Sequence, residues 1–167
     1  VARSVNFPVI ADSDTVYGDA LNVRRTVREY ERAGAAALHM EDQVFPKKCG
    51  FFEGKQVIPA DEYVGKLRAA LDARSDPDFV IIARTDTCRA LGLEEASMRL
   101  NRAADVGADL GWLFPSTPQE AEDAVRKCPL PLICVQRRGH RAVGAMISRQ
   151  NTPQMGEAVA VEARVTG

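Results

Sequence analysis

The sequence contains no long apolar run, since no stretch approaches the ~20 consecutive apolar residues that a membrane-spanning helix needs. Its first ten residues, VARSVNFPVI, lack the apolar core of a signal peptide. No charge dominates either, because 22 basic and 23 acidic residues leave a net charge of −1. Such a balance does not favour nucleic acid or an anionic membrane as a partner. We therefore expect a cytoplasmic protein that binds neither.

Cysteine and histidine are scarce, with four and two residues among 167. The cysteines show no CxxC spacing and have no histidine pair near them, which argues against a zinc site. Thiols stay reduced in the cytosol, so we predict free thiols and no disulfides. The four residues are Cys49, Cys88, Cys128 and Cys134.

The sequence does contain short apolar runs that alternate with longer segments of helical period, which is typical of an α/β protein. The runs predict strands at 8–12, 36–41, 78–84, 109–114 and 131–136. Helices are predicted between them at 20–33, 60–73, 94–106 and 118–127. The strands do not alternate polar with apolar residues, as expected for a parallel sheet covered on both faces. The pattern fits either a small doubly wound sheet or a large part of a (β/α)8 barrel.

Two segments depart from this pattern. Residues 42–58 form a long connection where such loops usually have about 2–6 residues, and long loops in compact domains are commonly functional. Beyond Gly139 the sequence has no strong period, although 157–165 is a strand candidate.

Charged side chains follow the first three predicted strands, and the carboxyl ends of parallel strands meet at one rim. An acidic rim with an arginine suits a hard cation such as Mg²⁺ and an anionic substrate whose carboxylate the arginine binds. Alternatively, each acid caps a helix or binds loop amides. The residues are Asp12 and Asp14 after the first strand, Glu41 and Asp42 after the second, and Arg84 and Asp86 after the third.

Cys49 follows two lysines in the long connection and precedes Gly50, a setting that favours the thiolate. It can serve as an acid/base group if the loop closes over a substrate, or it is an incidental surface cysteine. His39 lies inside an apolar strand and is interpreted as a hydrogen-bonded core histidine.

The motifs ADSDTVYGD, HMEDQVFPKKCG, GKQVIPADE and IIARTD, in this order, resemble the isocitrate lyase/phosphoenolpyruvate mutase superfamily. The resemblance covers residues 7–109 and, more loosely, 110–139, and the KKCG loop is similar to that of the methylisocitrate lyase-like members. It implies a TIM-type (β/α)8 barrel, here a partial barrel without the first two strands and the C-terminal end. We accordingly predict a partial barrel over 1–139 and a tail over 140–167.

The resemblance also implies a metal site and a substrate site. Asp12 would bind Mg²⁺, or alternatively Mn²⁺, directly, and Asp14 and Glu41 would hold metal-bound water. Residues 42–58 would form a gating loop. The implied substrate-binding residues are Lys48, Gly50 and Arg84, and the implied catalytic residues are Cys49 and Arg84.

The implied activity is cleavage of a C–C bond in a 2-hydroxy di- or tricarboxylate of the methylisocitrate, isocitrate or dimethylmalate type. The products would be a 2-oxo acid and a second carboxylic acid, made by a homo-oligomer. Three positions differ from the usual pattern: Phe51 replaces a histidine, Phe114 a glutamate and Val16 a glycine. An oxaloacetate hydrolase or decarboxylase, a phosphonopyruvate mutase or hydrolase, and a non-catalytic remnant therefore stay open as alternatives.

Overall fold

The computed structural model describes residues 2–138, 141–148 and 159–161. All five predicted strands and all four predicted helices are present, with small shifts at their ends. The short helix Thr87–Leu91 and the strand Arg141–Ser148 were not predicted. The strands are β1 Ile10–Asp12, β2 Ala37–Glu41, β3 Val80–Thr85, β4 Leu110–Leu113, β5 Leu132–Arg138, β6 Arg141–Ser148 and β7 Val159–Val161. The α-helices are α1 Ala20–Arg32, α2 Ala60–Ala73, α3 Thr87–Leu91, α4 Leu93–Asp105 and α5 Pro118–Lys127.

The strands form one sheet in the order in which they occur along the chain. Strands β1 to β5 are parallel and make a curved half-barrel. This order decides between the two predicted architectures, because a doubly wound sheet reverses its strand order part-way across. The fold is therefore part of a TIM-type barrel.

Beyond the parallel strands, β6 pairs antiparallel with β5, and β7 pairs antiparallel with β6. Strand β7 falls within the strand candidate at 157–165, whose other residues lie outside the described part of the chain. The division into a barrel domain and a tail at residue 139 stays a prediction.

Both faces of the parallel sheet are apolar, which explains why the strands read as continuous apolar runs. The outer face packs against the helices through side chains such as Leu38, Met40 and Ile81. The inner face carries a smaller cluster of buried residues, Ala37, Ile82 and Ile133. Among the described residues no helix is long and apolar enough to cross a membrane.

On the inner face, the residues between this cluster and the carboxyl ends of the strands are aligned by the strand register. Asp12 lies beside His39, while Glu41 lies beside Arg84, which in turn lies beside Trp112. Successive residues of a strand point to opposite faces, so these paired residues project from the same face. The sheet thereby brings one polar row to its carboxyl edge.

Close packing between β4, β5 and α4 depends on Gly111. A Cβ atom at this position would lie 2.6 Å from Leu132 Cδ2 and 3.2 Å from Leu100 Cδ2. We expect Gly111→Ala to lower the free energy of unfolding by about 1–3 kcal/mol through overpacking, as measured by urea denaturation.

Gly65 in α2 provides the matched control, because a Cβ atom there would meet nothing within 4 Å. Gly65→Ala should raise the free energy of unfolding by about 0.5–1 kcal/mol, since alanine favours a helix interior. Equal effects of the two substitutions would contradict the packing described for Gly111.

Candidate active site

Four buried charged side chains alternate in sign at the carboxyl edge of the sheet. Arg84 Nη2 lies 2.9 Å from Glu41 Oε2, and Arg84 Nε lies 3.1 Å from Asp86 Oδ2. Lys55 Nζ, from the end of the 42–58 loop, lies 2.9 Å from the other oxygen of Asp86. None of these side chains is more than 7% exposed. Each charge is thus compensated by a neighbour, as burial requires.

Glu41 is the least satisfied member of this network. Its side chain is fully buried, yet neither carboxylate oxygen accepts a hydrogen bond from the described residues, because the close approach of Arg84 is poorly aligned. Burial raises the pKa of Glu41 to about 7, an effect that Arg84 opposes and Asp86 reinforces. An acceptor without donors in this position suits a cation or an ordered water bound to one.

Asp12 and Asp14 flank a positive charge at the end of β1. Lys47 Nζ lies 2.6 Å from Asp14 Oδ1 and 3.9 Å from Asp12 Oδ2. Partial burial opposes ionisation of Asp12, but the Asp14 amide and nearby positive charges outweigh it and lower the pKa. The Lys47 ammonium group therefore lies between the carboxylates of Asp12 and Asp14, where a metal cation could bind instead.

The turn after β1 is strained. Asp14, Val16 and Tyr17 have φ angles of 49°, 59° and 59°, a left-handed region that β-branched residues rarely enter. This conformation explains why a glycine is expected at the position of Val16. Strained backbone of this kind concentrates at functional sites.

The donor set fits Mg²⁺. No three His, Cys, Asp or Glu side chains of the described residues converge closely enough to bind an ion by themselves. Mg²⁺ does not need such a cage, because it keeps several waters and takes only one or two carboxylates. The fully buried, unbonded oxygens of Glu41 near Asp12 and Asp14 match that requirement.

His39 is buried on the inner face, as predicted, and its ring lies 4.6 Å from that of Trp112. The predicted hydrogen bond is not found at its Nδ1, which lies 3.7 Å from Asp12 Oδ1 and has no hydrogen-bond partner among the described residues. Burial lowers the pKa of His39 to about 4, so the imidazole is neutral at pH 7.

Asp42 is a structural acid, in contrast to its neighbour Glu41. Its carboxylate accepts hydrogen bonds from the Thr85 and Thr87 hydroxyls at 2.6 and 2.8 Å and from the Asp86 amide at 2.9 Å. Arg99 of α4, itself buried, lies 3.1 Å away. For this acid the alternative interpretation, in which it binds loop groups, is the one that the geometry supports.

The 42–58 loop is ordered at its base. Val44 N donates to Gln56 O, and Ile58 N donates to Asp42 O, each at 2.9 Å. The Gln43 side chain makes two 2.9 Å hydrogen bonds to the backbone of Lys48. These contacts support the loop as one defined segment.

The tip of the loop closes on Arg84 at Gly50. A Cβ atom on Gly50 would lie 2.9 Å from Phe114 Cζ and 3.1 Å from Arg84 Nη2, so only glycine allows this approach. Phe51 packs edge-on against Phe114, with ring centroids 5.5 Å apart. Cys49 is exposed beside this contact.

The structure therefore places Gly50 against Arg84, and their role in substrate binding stays a prediction. It directs the exposed ammonium of Lys48 to the Gly54 carbonyl instead. Lys55, which the sequence analysis did not single out, is the lysine that reaches the network. The motif GKQVIPADE contains Lys55 but does not indicate this contact, because Asp86 lies 31 positions further along the chain.

Comparison with known proteins identifies the family of this chain. The family model for phosphoenolpyruvate phosphomutase matches residues 1–158. The chain belongs to the phosphoenolpyruvate phosphomutase family. Its similarity to this family confirms the resemblance to the isocitrate lyase/phosphoenolpyruvate mutase superfamily.

Two curated members of the superfamily are about equally similar to the chain. A 2,3-dimethylmalate lyase of Eubacterium barkeri is 46% identical over 126 residues, which is 75% of this chain. A 2-methylisocitrate lyase of Aeropyrum pernix is 45% identical over 136 residues, or 80% of this chain. The chain spans 43% of the length of each relative.

Solved structures of the superfamily share the fold. Phosphoenolpyruvate phosphomutase from Streptomyces platensis subsp. rosaceus superposes with a TM-score of 0.75 at 40% identity, covering 80% of this chain and 48% of that one. Oxaloacetate acetylhydrolase with 3,3-difluorooxalacetate gives 0.73 at 45% identity, covering 76% and 44%. Phosphonopyruvate hydrolase with oxalate and Mg²⁺ gives 0.71 at 40% identity, covering 80% and 47%. The family thus includes different reactions on one scaffold.

The raised pKa of Glu41 gives a pH-dependent stability in the presence of a metal chelator. The folded chain holds the proton of Glu41 up to about pH 7, whereas the unfolded chain releases it near 4.5. The associated stability is complete below the lower value and is lost as the pH rises through the higher one. Glu41→Gln should therefore gain about 1–3 kcal/mol relative to the parent between pH 4 and pH 8, as measured by urea denaturation.

Glu53→Gln is the control, because Glu53 is exposed in the same loop. Its stability should follow that of the parent at every pH. An unchanged difference between Glu41→Gln and the parent across this range would contradict the assignment of a shifted pKa to Glu41.

Asp42 and Asp14 should differ in what they contribute to stability. Asp42→Asn removes the buried carboxylate partner of Arg99, which keeps only the partly exposed Glu95, and should lower the free energy of unfolding by about 3–5 kcal/mol. Asp14→Asn removes a partly exposed ion pair and should change it by less than about 1 kcal/mol. Urea denaturation monitored by circular dichroism compares them, and similar losses would contradict a division into structural and functional acids.

Proposed function

We propose that the protein is part of a Mg²⁺-dependent C–C lyase. It would contribute the metal site at the carboxyl edge of the sheet and the 42–58 loop that covers the site. The substrate would be a 2-hydroxy di- or tricarboxylate of the methylisocitrate, isocitrate or dimethylmalate type. The main support is Glu41, which lies beside Arg84 and is fully buried although no described residue donates a hydrogen bond to its carboxylate. In addition, the chain is about 45% identical to two such lyases. The products would be a 2-oxo acid and a second carboxylic acid.

Asp12 would be the direct ligand of Mg²⁺, and Asp14 and Glu41 would hold its bound waters; Mn²⁺ could take the same place. When bound, the metal would supply Lewis-acid stabilisation of negative charge on the substrate oxygens. Lys47 would have to leave the two aspartates, which lie 2.6 and 3.9 Å from its ammonium group.

Arg84 would bind a substrate carboxylate. Its Nε and Nη2 already contact Asp86 and Glu41, which fix the guanidinium plane, while Nη1 donates no hydrogen bond to the described residues. Bidentate arginine–carboxylate pairs orient a ligand as well as binding it. Gly50 would allow the substrate and the loop to approach Arg84 together, and Lys48 would contribute to binding only if its ammonium leaves Gly54.

Cys49 would complete the reaction as an acid. Transfer of the hydroxyl proton to water converts the 2-hydroxy group to the 2-oxo group as the C–C bond breaks. The bonding electron pair remains on the departing acid as an enolate, and the Cys49 thiol would give its proton to that carbon. Although Cys49 is exposed, it adjoins the buried Gly50, which lies against Arg84, and this position supports the role.

A second candidate is hydrolysis or decarboxylation of oxaloacetate, or phosphonopyruvate chemistry, on the same scaffold. The observation that favours it is the edge-on pair of Phe51 and Phe114, which puts apolar groups where the lyase pattern has histidine and glutamate. A homo-oligomer, a cytoplasmic location and the absence of nucleic-acid or membrane partners stay predictions.

Trp112, the only tryptophan, makes the test direct, because its ring lies 5.8 Å from the Arg84 guanidinium. Mg²⁺ is titrated into the purified chain with and without oxalate, by calorimetry and by Trp112 fluorescence. We expect binding that strengthens with oxalate and that weakens by at least about tenfold in Asp12→Asn.

Asp72→Asn is the matched control, since Asp72 is an exposed acid of α2. A screen of the carboxylates named above then separates lyase activity from activity on oxaloacetate or phosphonopyruvate. A folded chain that binds no Mg²⁺ would overturn the proposal and favour a non-catalytic remnant.

A further inference from the structure

We propose that Lys55 is a positioning residue that latches the 42–58 loop over Arg84. The latch itself is a property of this chain's geometry, and only its catalytic consequence rests on the proposed function. The loop carries Cys49 at one end of the latched segment and Lys55 at the other.

The first observation is the burial and bonding of the Lys55 ammonium. Its side chain is 1% exposed, and Nζ donates both to the Gly50 carbonyl and to Asp86 Oδ1. A buried lysine is stable only when its charge and its donors are matched. The Gly50 contact lies within the loop, whereas opening the loop would separate Lys55 from Asp86, so this ion pair favours the closed arrangement.

The second observation is that the latch and the substrate anchor share one carboxylate. Asp86 accepts from Lys55 through Oδ1 and from Arg84 Nε through Oδ2, at 2.9 and 3.1 Å. The loop and the anchor are therefore joined through a single fully buried group. Movement of the loop would expose Asp86 and remove Lys55, one of its two cationic partners.

The third observation is an aromatic support beneath both cations. The Phe114 ring lies 5.5 Å from Lys55 Nζ and 4.9 Å from Arg84 Cζ, and Phe51 packs on its edge. Cations over an aromatic face gain most where water is excluded. Phe114 thus stabilises the same closed geometry that the ion pairs define.

These contacts predict which kinetic step depends on Lys55. The Gly50 carbonyl follows directly after Cys49, so loss of the latch would misplace the thiol. Arg84 would keep its contact with Glu41 and with Asp86. Turnover should therefore fall more than substrate binding weakens.

Hydrogen exchange measured by mass spectrometry tests the latch without relying on activity. The Val44, Phe52 and Ile58 amides are hydrogen-bonded within the loop. In Lys55→Met we expect the peptide covering 43–58 to exchange about tenfold faster or more, while helix α2 keeps its parent rate. Lys55→Arg should retain most of the protection, because its guanidinium can still donate to both acceptors.

Two further variants complete the design. Lys127→Met removes an exposed lysine that pairs with Glu94 and should leave loop exchange unchanged. Asp86→Asn keeps the Gly50 contact but removes the charge, so its loop should exchange at an intermediate rate, and it decides the question if Lys55→Met does not fold. The latch would be overturned if the loop exchanged at the parent rate in both Lys55→Met and Asp86→Asn. It would also be overturned if hydrogen exchange in these variants accelerated equally in the loop and in α2.

Kinetics then test its consequence. If the chain turns over a carboxylate, Lys55→Met should lower kcat by about tenfold or more with KM changed by less than about threefold, and Lys55→Arg should recover much of kcat. A rise in KM at constant kcat would contradict the positioning role. Absence of turnover in the parent counts against the proposed function, whereas the exchange result still decides the latch.

Discussion

The alternating row Glu41, Arg84, Asp86 and Lys55 is the interaction on which the other features of this site depend. All four side chains are buried, so each charge must find its partner or leave an uncompensated charge in the interior. That requirement constrains the register of β2 against β3 and the path of the 42–58 loop together. The row therefore connects the strand register of the sheet to the position of the 42–58 loop.

The contrast between Glu41 and Asp42 shows how the sheet separates two kinds of acid. The two residues are adjacent, and neighbouring positions at a strand end face opposite sides. Glu41 faces the inside with its oxygens unbonded, while Asp42 turns toward α4 and is bound by hydroxyl groups, an amide and Arg99. The two carboxyl groups thus have different roles, because hydrogen-bond donors surround Asp42 but not Glu41.

The superfamily members similar to this chain act on different small carboxylates while sharing its half-barrel. The scaffold alone therefore does not define the reaction. In this chain Phe51 and Phe114 lie where the 42–58 loop meets Arg84. Differences in chemistry are expected to arise at that contact.

The sequence by itself determined the α/β class, the five parallel strands, every α-helix except α3, and the rim residues Asp12, Asp14, Glu41 and Arg84. Apolar periodicity and the parallel sheet are enough for this, because they report which segments are buried and which ends meet. Only the tertiary structure decided the sequential strand order, the structural role of Asp42 and the contact of Lys55 with Asp86, 31 positions apart. Pairing of distant charges leaves no periodic signal, since it depends on where the folded chain brings them.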